Sequence, residues 1–249
     1  MPSYHTVQGM IYGQKRLNQP QLPETAADIE LTEHYTQTMN GRRFLLFRAE
    51  NHGKHTLCFS TDEHLQLLSE AREIFVDGTF FTCPQLFEQP LTISVDRDGK
   101  HMVVAFFLMP GRSQEDYVFA FEALLRKMQE KELQVSLEYT RSDFEQALIG
   151  SLRSVFGPAH HRGCHFHFSQ AVWRNVQVCG LQTTYRDNEH FRAFVRKTVS
   201  LAFLPVPLVR ISWTALKAAA PEVPHVSTFV AYFETTWMRG SFPLAIWNQ

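Results

Sequence analysis

The sequence predicts an α/β fold, a mixed five-stranded sheet with flanking helices followed by a C-terminal all-helical segment, and three observations carry that reading. Apolar runs of strand length occupy 73–80, 89–95 and 101–109, and the last two are joined by Asp96-Arg-Asp-Gly99, a strong hairpin signal. Two helix-period runs, Ser113 to about Lys131 and 144–156, then alternate with further strand candidates at 133–140 and 162–167. Beyond about residue 187 only helical periodicity remains, at 187–203, 207–219 and 225–239, punctuated by Pro205, Pro207, Pro221 and Pro224.

Each element has a local reason. Residues 1–40 are polar, with Pro20, Pro23 and an acidic stretch from Glu24 to Glu33, and read as a linker or N-terminal arm. Short apolar runs at Arg43 to Phe47 and Thr56 to Ser60 flank Asn51-His-Gly53 and read as a hairpin. Thr61-Asp-Glu caps a helix over about 62–72. Pro110-Gly111 stops the third main strand, and Ser113 opens a helix with Tyr117, Phe121, Leu124, Leu125 and Met128 at helical spacing. The next helix carries Phe144, Leu148, Leu152 and Val155 and ends at Gly157-Pro158, and another runs from Ser169 to Cys179 before Gly180. The order β-β-β-α-β-α-β is that of an RNase H-like fold. With right-handed crossovers its fourth strand can lie beside its first.

That topology gives two acidic motifs a chemical meaning. Asp77-Gly-Thr-Phe80 closes an apolar strand, and Asp143-Phe-Glu145 opens a helical run 66 residues later. Two divalent ions about 4 Å apart can activate a water and stabilise the leaving oxygen of an in-line displacement, and hard ions of this kind prefer carboxylate oxygens. Adjacent strands lie about 4.8 Å apart, so acids at matching strand ends can share such ions. Each acid also has a plainer reading. Asp77-Gly78 fits a type I′ hairpin turn, and Asp143 or Ser142 fits a helix N-cap, with Gln146 completing a capping box.

Bulk properties narrow the class. With 44% hydrophobic and 13% aromatic residues in 249, the chain can bury a sizeable core. Its longest apolar stretch, Met102 to Met109, is far short of the roughly 20 residues of a membrane helix, and the start of the chain carries no signal pattern. Cys58, Cys83, Cys164 and Cys179 show no C-x-x-C spacing, so free thiols are expected. The net charge of −1 hides an asymmetry: residues 141–200 hold 8 Lys/Arg against 4 Asp/Glu, among them Arg174, Arg186, Arg192, Arg196 and Lys197. Such a stretch suits a phosphate backbone, or is a solvated face.

In order along the chain, Asp77-Gly-Thr-Phe80, Pro84-x-x-Phe87-x-Gln89, Tyr117, Asp143-Phe-Glu-x-Ala147, Gly163-Cys-His-Phe-His167 and Gln170-Ala171 resemble the catalytic region of Mutator-like element (MULE) transposases, from about Phe44 onward. The resemblance implies an RNase H-like core over 41–180, Mg²⁺ or Mn²⁺ held by a D-D-E triad, and cleavage and joining of double-stranded DNA at transposon ends and target. Asp77 and Asp143 would be the first two acids and metal ligands. Cys164 and His167 match the family's C-x-x-H signature and count as catalytic candidates. Residues 181–249 would be a helical insertion ahead of a last helix carrying the third acid. The family sets that acid in Asn-Asn-x-x-Glu, which does not occur before Gln249, and Trp247-Asn-Gln resembles the segment just upstream of it. The chain is therefore expected to stop short of a complete site and to leave an apolar face uncovered. Glu234 and Glu222 are the remaining late carboxylates, without the flanking motif. The resemblance also implies nuclear localisation, although the chain shows no localisation signal, and self-association stays open.

Four of twelve histidines, His160, His161, His165 and His167, cluster beside Cys164. A zinc site would need a second ligand pair, which does not follow at the usual spacing, so zinc is not expected. If 162–167 is a strand, Cys164 and His167 point to opposite faces, and both reach one site only if the strand ends between them. His167 is read as facing the acids, against the alternative of a packed histidine at a strand end. Phe80, Phe81, Phe106, Phe107 and Phe121 are read as core rather than as base-stacking residues. The function expected is a MULE-type DDE transposase domain, incomplete or inactive. Its alternatives are a non-catalytic DNA- or protein-binding module and a stand-alone RNase H-like nuclease.

Overall fold

The computed structural model describes residues 23–79, 82–157 and 159–249. The first 22 residues of the expected arm, together with Phe80, Phe81 and Pro158, lie outside the described residues. The strands are β1 (Leu45–Asn51), β2 (Lys54–Phe59), β3 (Glu73–Gly78), β4 (Gln89–Arg97), β5 (Lys100–Met109), β6 (Tyr139–Ser142) and β7 (His160–Gly163). They form one mixed sheet in the order β1-β2-β5-β4-β3-β6-β7.

The sheet is thus larger than the five strands expected. The 43–60 hairpin does not stand apart but extends the sheet, with Leu57 opposite Leu108, Cys58 opposite Phe107 and Phe59 opposite Phe106. An unpaired β5 edge would leave a row of backbone N–H and C=O groups open, and β2 covers it. Both hairpin turns follow their sequence signals. His52 and Gly53 take φ of 51° and 77°, Asp98 and Gly99 take 54° and 75°, and two consecutive positive φ values are what a type I′ turn needs.

Strand limits moved where pairing, rather than hydropathy, decides. Residues 133–138 supply Leu133, Val135 and Leu137 to the core but are not strand, because β6 pairs with β3 only from Tyr139 opposite Glu73. β7 ends at Gly163 instead of reaching 167. Among the five expected core phenylalanines, Phe107 and Phe121 are buried, while Phe106 is 37% exposed because it alternates to the outer face of β5.

The helices that cover and extend the sheet are α1 (Asp62–Ser69), α2 (Gln114–Gln129), α3 (Gln146–Phe156), α4 (His165–Val178), α5 (Gln182–Asp187), α6 (Glu189–Ser200), α7 (Val206–Ala218), α8 (Val226–Phe233) and α9 (Leu244–Trp247). A capping box starts α2: the Ser113 hydroxyl accepts from the Asp116 N–H, and the Asp116 carboxylate accepts from the Ser113 N–H. Two apolar clusters result. One face of the sheet, with Ile74, Val76, Leu91 and Ile93, packs on Tyr117, Phe121, Leu124, Leu148 and Leu152 of α2 and α3. Each such fully buried side chain contributes roughly 1.5–3 kcal/mol. The second cluster joins α4 to the C-terminal helices through Phe168, Phe191, Trp213, Phe229, Phe233, Trp237 and Trp247. On the sheet's outer face, an apolar groove of about 930 Å³ lies over β2 and β5, lined by Phe44, Phe59, Phe106 and Leu108. Among the described residues no helix is long and apolar enough to cross a membrane.

Candidate functional site

Asp77 is a strand residue, not a turn: it pairs with Thr92 of β4, and Gly78 pairs with Leu91. On the other side β3 runs parallel to β6, with Glu73, Ile74 and Phe75 opposite Tyr139, Thr140 and Arg141, a constant offset of 66 residues. The same offset separates Asp77 from Asp143, so the second acid leaves β6 in line with the first. Alternation puts both on the outer face, since Ile74 and Val76 point into the core while the Asp77 side chain is 58% exposed. Nor is Asp143 an N-cap, because α3 begins at Gln146 with Glu145 as its cap. The Asp143 carboxylate instead accepts the Glu145 N–H at 3.0 Å, which closes a tight turn at the end of β6.

The strand's early end at Gly163 settles how Cys164 and His167 sit. Cys164 is the N-cap of α4 and His167 lies in its first turn, so they are one turn apart on one side of a helix. His167 Nε2 is 3.7 Å from Asp77 Oδ1. Contact with the Cys164 thiol raises the imidazole above the ordinary histidine range, against the effect of burial, and the charges of Asp77 and Asp143 add to the rise. Burial alone would raise the Cys164 thiol, yet the His167 side chain and the backbone N–H groups of His167 and Phe166 outweigh it and lower it. His167 therefore leans toward the cation it would need to be beside two carboxylates.

Residues around the acids hold the turn in place. The Cys164 N–H donates to the Ser142 carbonyl at 2.7 Å, tying the ends of β6 and β7 together. Phe144 projects into the helical cluster, edge-on to Trp237 and Phe242 at 4.9 and 5.1 Å between ring centres. Gly163 leaves room for it: a Cβ there would lie 2.4 Å from Phe144 Cζ and 3.3 Å from the Ile246 carbonyl. Glu145 is bound on the opposite side, 2.8 Å from an Arg112 guanidinium nitrogen and 3.4 Å from the Tyr117 hydroxyl, which in turn accepts from Gln89 Nε2 at 2.6 Å. Burial pushes Tyr117 up to about 12, so its hydroxyl stays neutral, accepting from Gln89 and donating to Glu145. Gln89, Tyr117 and Glu145 thus form one polar network beneath the Asp143 turn.

Sequence reasoning missed Arg141. Its guanidinium bonds Glu73 at 3.0 Å, reaches the Gly163 carbonyl and the Gln249 side chain, and stands over the Phe75 ring at 5.7 Å. Alternation back from Asp143 could have flagged it, since Arg141 lies two residues earlier, on the outer face of β6.

The remaining candidates are dispersed. Glu234 is paired with Lys217 at 2.7 Å in the helical body, and Glu222 is exposed in the loop after α7. Arg186 pairs with its neighbour Asp187, while Arg192 bonds the Tyr185 and Arg186 carbonyls at the end of α5. Arg174, Arg196 and Lys197 are exposed. Among the described residues no group of three or more His, Cys, Asp or Glu side chains is arranged to hold a metal ion. Asp77 and Asp143, carried out on one face by neighbouring strands, are hard oxygen donors of the kind that Mg²⁺ or Mn²⁺ takes.

No curated protein matches the chain. Residues 73–171, about two fifths of its length, match the family model of the MULE transposase domain, a span that opens at β3 and closes within α4. It contains Asp77, Asp143, Cys164 and His167, and the match supports the family read from the motifs, the Mutator-like element transposases.

Proposed function

We propose that the chain carries the core of a MULE-type DDE transposase, in which Asp77 and Asp143 hold Mg²⁺ or Mn²⁺ as two of the three acids that cleavage and transfer of DNA strands at transposon ends require, so that the domain is incomplete for catalysis. The observation that carries this reading is the parallel register of β3 and β6, which runs the two acids out on one face with His167 against the first. The order β5-β4-β3-β6-β7, three antiparallel strands followed by two parallel ones, supports an RNase H-like core. Bound ions would activate the attacking water and stabilise the leaving oxygen. His167 would donate to a phosphate oxygen or hold a water beside Asp77. Exposed Arg174, Arg196 and Lys197 would meet the DNA backbone, each phosphate contact adding to the salt dependence of binding. The family resemblance is also the ground for a nuclear site of action.

A second reading, a transposase-derived module that binds DNA or protein without cutting, draws on one observation. Both Glu145 and Glu234 are already taken by cations, so no third acid joins the pair among the described residues. Calorimetric titration with Mn²⁺ and a strand-transfer assay on the purified chain separate the two. Weak Mn²⁺ binding that disappears in Asp77→Asn and in Asp143→Asn, with strand transfer absent, is the expected result, since loss of one ligand costs orders of magnitude in rate. Robust metal-dependent cleavage abolished by Asp143→Asn would show that the site is complete. Absence of Mn²⁺ binding in the unmodified chain would favour the non-catalytic module.

A further inference from the structure

The helix that brings His167 to Asp77 also brings a second histidine to a different place. His165, at the first position of α4, lines a cavity of about 570 Å³ between α4, α5, α6 and the 3₁₀ turn Leu201–Phe203. Trp173, Tyr185, Arg196, Ser200 and Phe203 also line it. Its volume is within the range of small-molecule sites.

Three features mark it as more than a gap in packing. Phe203 is 61% exposed, although its ring lies 4.5 Å from the His165 ring between centres, so an aromatic surface faces solvent where a packed core would bury it. Trp173 and Tyr185 form a second aromatic wall, edge to face at 4.9 Å. His165 Nε2 is buried without a hydrogen-bond partner, and burial lowers the imidazole below the ordinary histidine range, leaving a neutral nitrogen in want of a partner. At the rim, the exposed Arg196 side chain has no ion-pair or hydrogen-bond partner among the described residues.

Aromatic faces, one buried polar nitrogen and one cation together match the parts of a single nucleotide: a base to stack, a base edge to bond, and a phosphate. A base paired within a duplex cannot enter, because its faces are covered by its neighbours. We propose that this cavity takes an unpaired or extruded nucleotide of the DNA substrate, with the base against Phe203 and Trp173, His165 Nε2 at its edge and Arg196 on its phosphate. This rests on the reading of the chain as a DNA-binding transposase core.

The test uses the full chain in a buffer without divalent metal, so catalysis plays no part. Two duplexes of the same sequence are compared by fluorescence titration, one fully paired and one with a single unpaired 2-aminopurine nucleotide, and free 2-aminopurine deoxyribonucleotide is titrated alongside. The expected result is tighter binding of the unpaired duplex with quenching of the probe. Phe203→Ala should weaken that preference on the order of tenfold, as loss of a base-stacking partner does, whereas Phe203→Trp should keep it. Since Phe203 is largely exposed, its replacement leaves the fold intact, which circular dichroism checks. Arg196→Ala should weaken binding of the unpaired duplex and reduce its salt slope by about one ion. Equal binding of the two duplexes, unmoved by Phe203→Ala, would overturn the nucleotide pocket and leave the DNA-binding reading standing. Binding of the free nucleotide that depends on Phe203, with neither duplex bound, would uphold the pocket and overturn the DNA reading instead.

Discussion

His161 shows how one buried side chain ties stability to pH. It sits on β7, 7% exposed, with its Nδ1 3.1 Å from the Thr140 hydroxyl on β6. Burial, then the nearby charges of Arg153 and Arg141, lower its pKa from 6.5 to about 4. A histidine whose folded value is depressed favours the neutral form, so its contribution is fully present above pH 6.5 and is lost as pH falls toward 4. The shift corresponds to a loss on the order of 3 kcal/mol across that window. Urea unfolding at pH 7 and pH 4.5 should therefore show a steeper fall in stability for the unmodified chain than for His161→Asn, and parallel falls in the two proteins would refute the assignment. At this scale the sequence was legible for the acids, whose motif spacing equals the strand register. It was silent on His161, because nothing local distinguishes a buried histidine from its exposed neighbours in the same basic run, whereas Arg141 could be reached only by alternation back from Asp143.

The element whose limits matter most is α4, and the sequence placed its start four residues late. His160-His-Arg-Gly163 continues smoothly into Cys164-His-Phe-His167, so alternation gives no sign of where strand becomes helix. The deciding contact is tertiary: Gly163 packs against Phe144 so closely that any side chain would collide with the ring. Gly163→Ala forces that ring or the backbone to move, at a cost of about 1–3 kcal/mol typical of overpacking. The substitution should lower the urea midpoint without changing the slope of the transition. An unaltered midpoint would mean that Phe144 can yield freely and does not fix the turn. The same limitation explains the sheet. The longer helices and hairpin signals such as Asp98-Gly99 were read correctly, while the short helix Gln182–Asp187 was not foreseen, and that the 43–60 hairpin would pair with β5 depends on an edge that exists only once the chain has folded.

Across the whole molecule, the sheet cluster and the helical cluster are two cores that meet close to the acids. Phe144 follows Asp143 directly in the chain, yet its ring belongs to the second cluster through Trp237 and Phe242. The helical body thereby holds the turn that presents Asp143, although the rings that grip Phe144, Trp237 and Phe242, follow Asp143 by nearly a hundred positions. Removing the ring should both destabilise the chain, by the 3–5 kcal/mol usual for Phe→Ala in a core or somewhat less for a partly exposed ring, and loosen that turn in particular. Phe121→Ala provides the comparison, since Phe121 is fully buried in the sheet cluster. Two amides report on the turn: the Glu145 N–H, bonded to the Asp143 carboxylate, and the Cys164 N–H, bonded to the Ser142 carbonyl. Native-state hydrogen exchange at matched global stability, with urea used to bring the variants level, should show both amides losing protection in Phe144→Ala and keeping it in Phe121→Ala. Equal protection in the two variants would mean that the helical body stabilises the sheet only globally, and that Asp143 owes its position to β6 alone.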